Sequence, residues 1–103
     1  MPRVYPYQQI TASLTGGNLV AKLPGVIYRR KLTRLTIVGP TGSRFELYAN
    51  AVTPNNLVDS TQRGQRNTAD YSNPIPIEPG VELYAVWPLV TGAATATFHL
   101  QEG

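Results

Sequence analysis

The sequence predicts an all-β protein, a single-domain antiparallel β-sandwich or jelly roll of seven to eight short strands. Three observations lead there. Apolar residues recur with a period of two: Phe45, Leu47, Ala49 and Ala51 alternate with Arg44, Glu46, Tyr48 and Asn50, and Ala94, Ala96, Phe98 and Leu100 alternate with Thr95, Thr97, His99 and Gln101. That is the period of a strand with one dry and one wet face, and a helix would scatter the same residues around its axis. Turn residues punctuate the chain at short intervals, at Gly16-Gly17-Asn18, Pro24-Gly25, Gly39-Pro40-Thr41-Gly42, Pro79-Gly80 and Thr91-Gly92. No stretch carries an amphipathic helical pattern. Many short strands without helices bury their faces by packing one sheet on another.

Residues 1–9 carry Pro2 and Pro6, each of which fixes φ and removes a backbone donor. They read as an extended arm with Tyr5 and Tyr7 as anchors, the alternative being a frayed terminus, and precede a sandwich domain over 10–103. Gln9 to Leu14 forms a short strand, and Leu19 to Leu23 alternates again, with Leu19, Ala21 and Leu23 on one face. Val26 to Val38 is the longest β-prone run, with Arg29, Arg30 and Lys31 in its middle. It reads as one strand, or as two with a bend at the charges, because a central strand does not readily bury three consecutive cations. Arg34 to Val38 and the strand from Arg44 onward are joined as a hairpin by Gly39–Gly42.

From Thr53 to Asn73 the chain turns polar, with Leu57 and Val58 as its one aliphatic pair. It reads as a long loop in which Pro54 starts one helical turn over Asn55-Asn56-Leu57, and such excursions are often functional. Ile75-Pro76-Ile77 suits an edge strand, since proline cannot donate to a ladder. Glu78-Pro79-Gly80 places proline and glycine where a type II turn wants them. Val81, Leu83, Ala85 and Trp87 then share one face. The expected core is Leu35, Ile37, Phe45, Leu47, Leu83, Trp87, Phe98 and Leu100.

Composition narrows function further. A chain of 103 residues makes one domain, large enough to bury a core without metal or disulfide. Without cysteine, and with His99 as the one histidine, no transition-metal site is expected, and no cofactor motif occurs. The six carboxylates show no catalytic or EF-hand spacing. Gly39–Gly42 lacks the lysine of a phosphate loop. An enzyme is not expected. No apolar run is long enough to span a membrane, and Met1–Tyr7 lacks the apolar core of a secretory signal. The net charge of +3 is modest and argues against a dedicated nucleic-acid binder, although Arg29, Arg30, Lys31 and Arg34 cluster beside Tyr28. The alternative reading of that cluster is an edge strand guarded by its charges.

Four segments carry a resemblance: Thr53-Pro-Asn-Asn-Leu-Val-Asp-Ser60, Thr68-Ala-Asp-Tyr-Ser-Asn-Pro-Ile75, Glu78-Pro-Gly-Val-Glu-Leu-Tyr-Ala-Val-Trp87 and Thr91-Gly-Ala-Ala-Thr-Ala-Thr-Phe98. Over roughly residues 26 to 101 the chain resembles small structural proteins of tailed phages. The resemblance implies a virion protein with a sandwich or jelly-roll domain, above all a capsid decoration (cement) protein bound outside the shell. It implies the major capsid protein as partner, a homo-oligomer with a trimer favoured, and a place on the capsid exterior after assembly in the host cytoplasm. The alternative is a tail or tail-fibre component, with a glycan- or receptor-binding role. Interface anchors are desolvated aromatic and arginine residues, so Tyr5, Tyr7, Tyr28, Arg29 and Arg30 are candidate partner-binding residues, together with Lys31 of the basic cluster and Asn55 and Asn56 of the polar loop.

Overall fold

The computed structural model describes residues 7–103; the expected anchor Tyr5 and most of the expected arm lie outside them. Nine strands form among the described residues: β1 (Gln8–Thr11), β2 (Ser13–Thr15), β3 (Asn18–Leu23), β4 (Arg30–Val38), β5 (Phe45–Ala49), β6 (Leu57–Thr61), β7 (Arg66–Ile77), β8 (Leu83–Trp87) and β9 (Thr95–Glu102). A short 3₁₀ turn, Pro54–Asn56, precedes β6. One sheet has the order β1-β9-β4-β7 and the other β2-β3-β8-β5-β6. All pairings are antiparallel. With β2 set aside as a ribbon added to β3, the two four-stranded orders are those of a jelly roll.

All eight residues expected in the core are buried, none more than 7% exposed. Each contributes roughly 1.5–3 kcal/mol of burial, before the entropy of ordering is subtracted. The turns follow their residues. Gly16 and Gly17 both take positive φ, 57° and 86°, in the two-residue loop between β2 and β3, as a primed hairpin turn requires. Gly80, at φ 82°, occupies the third position of the turn closed by Val81 N–H on Glu78 O at 3.1 Å.

Three expectations are corrected. First, β4 and β5 do not form a hairpin: they belong to different sheets, and residues 39–44 cross between them. Second, residues 53–73 are not a long loop but the 3₁₀ turn, β6 and the first part of β7. Both strands are edges, so one flank of each meets water and polar residues suffice. Their inward positions are filled by Asp59 and Thr61 of β6 and by Asn67, Ala69 and Tyr71 of β7, and so alternation of aliphatics is missing. β7 continues through Ile75-Pro76-Ile77, and its edge position agrees with the prolines there.

Third, β4 is one strand lying centrally between β9 and β7, so its cations do not guard an edge. It bulges at Thr33, which has no register partner on either neighbour. The bulge changes the inward phase from Arg30 and Leu32 to Leu35 and Ile37. Opposite the bulge, Tyr71–Pro74 of β7 have no partner on β4.

Trp87 organises one end of the core. Its ring meets Phe45 edge-on at 5.1 Å between centroids, and its Nε1–H donates to Gly64 O at 2.9 Å. The bond fastens the β6–β7 connection to β8. Gly39 N–H donates to Gln65 O at 2.8 Å, bringing the β4–β5 connection onto the same point.

Candidate functional site

The fold gathers most of the expected partner-binding residues at one end. Gly80 N–H donates to Val26 O at 2.7 Å, and Asn50 N–H to Glu82 O at 2.8 Å. These bonds join the β3–β4, β7–β8 and β5–β6 connections, which place Tyr28 and Arg29, followed by Arg30 and Lys31 at the start of β4, on one side and Asn55 and Asn56 on the other. Ile27 projects there with 96% of its surface exposed, beside a shallow depression formed by Gly25, Val26, Pro79 and Gly80.

The individual residues differ in what they can offer. Arg29 is exposed and pairs with Glu78 at 2.9 Å, a surface pair worth little in water. Lys31 is exposed and Tyr28 half-buried. Arg30 is corrected: it is 3% exposed, because it shares the inward phase of Leu32. Its Nη2 donates to Pro24 O at 3.0 Å, while Nε has no protein partner among the described residues. Burial lowers its guanidinium pKa, the Tyr28 phenol opposing. It braces the β3–β4 connection from within. Asn56 is likewise engaged, its Nδ2–H donating to Ala49 O at 2.7 Å and its Oδ1 accepting the Thr53 hydroxyl at 2.6 Å. Asn55 remains exposed. Tyr7 lies elsewhere, with its ring tilted against His99 at 5.8 Å between centroids.

A second feature was not apparent in the sequence. Where the sheets part between the edges of β6 and β7, a cleft of about 260 Å³ opens. Leu35, Ile37, Phe45 and Ala69 supply apolar walls, and Asp59, Thr61, Asn67 and Tyr71 supply polar groups. The Tyr71 hydroxyl donates to Asp59 Oδ2 at 2.9 Å, bridging the two sheets. Asp59 Oδ1 accepts Ser60 N–H at 2.8 Å, and Asn67 Nδ2–H donates to Thr61 Oγ1 at 3.4 Å. The polar groups therefore largely satisfy one another. The signal for the cleft was the two-residue spacing of Asn67, Ala69 and Tyr71, hidden by their mixed polarity.

Burial, and then the hydrogen bond to Asp59, push the Tyr71 phenol well above its ordinary pKa. The neutral form is thus favoured in the folded state. Its contribution is complete below the unfolded value of about 10 and is lost as pH rises beyond it. Replacement by phenylalanine, Tyr71→Phe, is expected to lower stability at pH 7 by about 1–3 kcal/mol, through the lost bond and the Asp59 Oδ2 left without its donor. It should also flatten the fall in urea midpoint between pH 9 and about 11. An unchanged alkaline slope would show that the phenol does not carry it.

Among the described residues no group of three or more His, Cys, Asp or Glu side chains gathers to hold a metal ion. Among them, too, no helix is long and apolar enough to cross a membrane.

No protein-family model matches the chain, and no curated protein matches it. Among solved structures it is similar to PliG of Aeromonas hydrophila, a periplasmic inhibitor of g-type lysozyme. The likeness has a TM-score of 0.54 at 14% identity and covers 92% of this chain and 86% of that one. The chain is also similar to the family 32 carbohydrate-binding module of C. perfringens NanJ, solved in complex with galactose. There the TM-score is 0.49 at 14% identity, over 93% of this chain and 94% of that one. By name, one is an inhibitor and the other a binding module. What this chain shares with the lysozyme inhibitor is the fold.

Proposed function

We propose that this protein is a non-enzymatic structural protein of a phage virion, a capsid decoration protein that binds the outer face of the major capsid protein shell and stabilises it. In this reading it acts as a homo-oligomer, a trimer by preference, on the capsid exterior after assembly in the host cytoplasm.

The observation that supports the reading is the surface left by the fold. Large aliphatic side chains stand in solvent on connecting loops, Ile27 at 96% exposure and Leu89 at 81%. An aliphatic side chain displayed on a turn can seat in a partner's pocket as a desolvated anchor. The segments that carry the phage resemblance are here the 3₁₀ turn with β6, most of β7, the Pro79-Gly80 turn with β8, and the approach to β9.

The test is co-sedimentation of the purified protein with capsids lacking it, followed by electron microscopy of the bound fraction. Saturable density at lattice positions on the shell is the expected result. Absence of binding to the shell would overturn it. The cleft between β6 and β7 favours a second reading, a tail or tail-fibre component with a glycan- or receptor-binding role. An aromatic ring, a carboxylate and an amide around a small apolar-walled space suit a sugar ring. Monosaccharide binding that shifts Tyr71 and Asn67 resonances, together with density on the tail, would establish that alternative.

A further inference from the structure

The end of the sandwich away from Arg29 and Lys31 carries a combination that the fold does not itself use. Three connections meet there, residues 39–44, 62–65 and 88–94. Gly39 N–H donates to Gln65 O at 2.8 Å and Gly64 N–H to Ser43 O at 2.7 Å. A Cβ at Gly92 would lie 3.6 Å from Pro40, so the third connection adjoins the first.

One feature of this end is Leu89. Its φ is 58°, in the left-handed region that side chains with a Cβ rarely adopt. It is 81% exposed, so packing does not compensate the strain. Asn18 Oδ1 accepts the Leu89 N–H at 2.9 Å and holds the turn in place. Glycine would suit this backbone better. Leucine instead presents an aliphatic group to solvent from a fixed position, and strain held without structural return points to use.

The other feature is charge. Residues 39–44, 62–66 and 88–94 include Arg44, Arg63 and Arg66 but no Asp or Glu. Ion pairs among the described residues are Lys22–Glu82, Arg29–Glu78 and Arg34–Asp70, so these three arginines have no carboxylate within 4.0 Å. Glu46, close in sequence, accepts the Tyr48 hydroxyl at 2.8 Å. Arg63 and Arg66 flank a groove of about 270 Å³ that Gly42 and Ser43 also line.

We infer that this end is a docking surface for an acidic protein face, one that offers carboxylates to Arg63 and Arg66 and an apolar socket to Leu89. Charge complementarity supplies the first half of that chemistry, and arginine forks bind carboxylates with defined geometry. A single desolvated aliphatic anchor supplies the second. Single-stranded nucleic acid fits less well, because the aromatic rings at this end, Phe45 and Trp87, are buried and leave nothing for bases to stack on. Only the partner's identity as the capsid shell rests on the function proposed above; the chemistry of the surface does not.

The experiment is an NMR titration of the labelled protein with a soluble glutamate-rich glutamate–leucine copolymer. Poly-L-glutamate and a single-stranded oligonucleotide serve as comparisons. Amide shifts are expected to concentrate in residues 39–44, 62–66 and 88–93, with the copolymer bound several-fold more tightly than poly-L-glutamate. The double variant Arg63→Glu, Arg66→Glu should weaken binding of both acidic polymers about tenfold or more. Leu89→Gly should keep or raise the melting temperature, since glycine accepts the backbone, while abolishing the copolymer's advantage. A merely structural leucine would not separate the two readouts in that direction. Shifts centred on Arg29 and Lys31, no shifts at all, an undiminished copolymer preference in Leu89→Gly, or tighter oligonucleotide binding at the same residues would each overturn the inference. Wild-type protein that fails to bind capsids yet gives the expected shifts would defeat the proposed function alone.

Discussion

Replacing Trp87 with alanine is expected to destabilise the fold by about 3–5 kcal/mol, the range for deleting a buried large aromatic side chain. The ring is fully buried and packs edge-on against Phe45. Truncation would open a cavity between the sheets and leave the Gly64 carbonyl without its donor, so that the β6–β7 connection loses its attachment to β8. Against the total of about 5–15 kcal/mol typical of a domain, that is a large fraction. At about 4–8 °C per kcal/mol for a domain of this size, the melting temperature should fall by well over 10 °C. Circular dichroism through a urea titration is the suitable measurement, because the variant also loses the chain's only tryptophan. Trp87→Phe keeps a ring but not the N–H, and should lose about 1–3 kcal/mol. An alanine variant melting within a few degrees of the parent would show that the ring is not the keystone of this end.

The second large effect is expected from Gly39→Ala. A Cβ there would stand 2.3 Å from Trp87 Nε1 and 2.6 Å from Gly64 O. Neither neighbour is a flexible side-chain end: one is a packed indole, the other a backbone carbonyl. The substitution should therefore displace the Trp87–Gly64 bond and cost about 1–3 kcal/mol or more, as overpacked cores do. Gly42→Ala is the informative contrast. Gly42 has φ 77°, and a methyl group added there would meet no atom within 4 Å, so its cost is only that of the left-handed backbone, about 1–2 kcal/mol. Combining Gly39→Ala with Trp87→Phe tests the cause directly. If the indole is the obstacle, the pair should cost less than the sum of the single substitutions, and strict additivity would place the clash elsewhere.

The proposed docking end lies opposite the end that holds Tyr28 to Lys31, Asn55 and Asn56, most of the residues first expected to bind a partner, and the separation has a simple origin. Sequence reading favours clusters, and Arg29, Arg30, Lys31 and Arg34 form the densest one. Folding then divides it: Arg29 and Arg34 pair with Glu78 and Asp70, and Arg30 turns inward. Arg44, Arg63 and Arg66 are dispersed along the chain, and only the meeting of two connections brings them to an end without acids.

Alternation and turn residues alone determined the all-β class, the eight core residues and the Gly16-Gly17 and Pro79-Gly80 turns. Those features depend on local stereochemistry: the two-residue period of a strand, and the positive φ that glycine accepts without cost. Tertiary structure decided what depends on partners distant in sequence. It separated β4 and β5 into different sheets, although the turn between them looked like a hairpin. It made strands of residues 57–61 and 66–77, whose polar composition suits edges but resembles a loop when read in isolation. It moved the inward phase of β4 at Thr33 and so buried Arg30. It also joined Trp87 to Gly64, 23 residues away. Side-chain period is a property of one strand; sheet membership, register and bulges are properties of pairs, selected by which pairing buries the most apolar surface with its backbone hydrogen bonds satisfied.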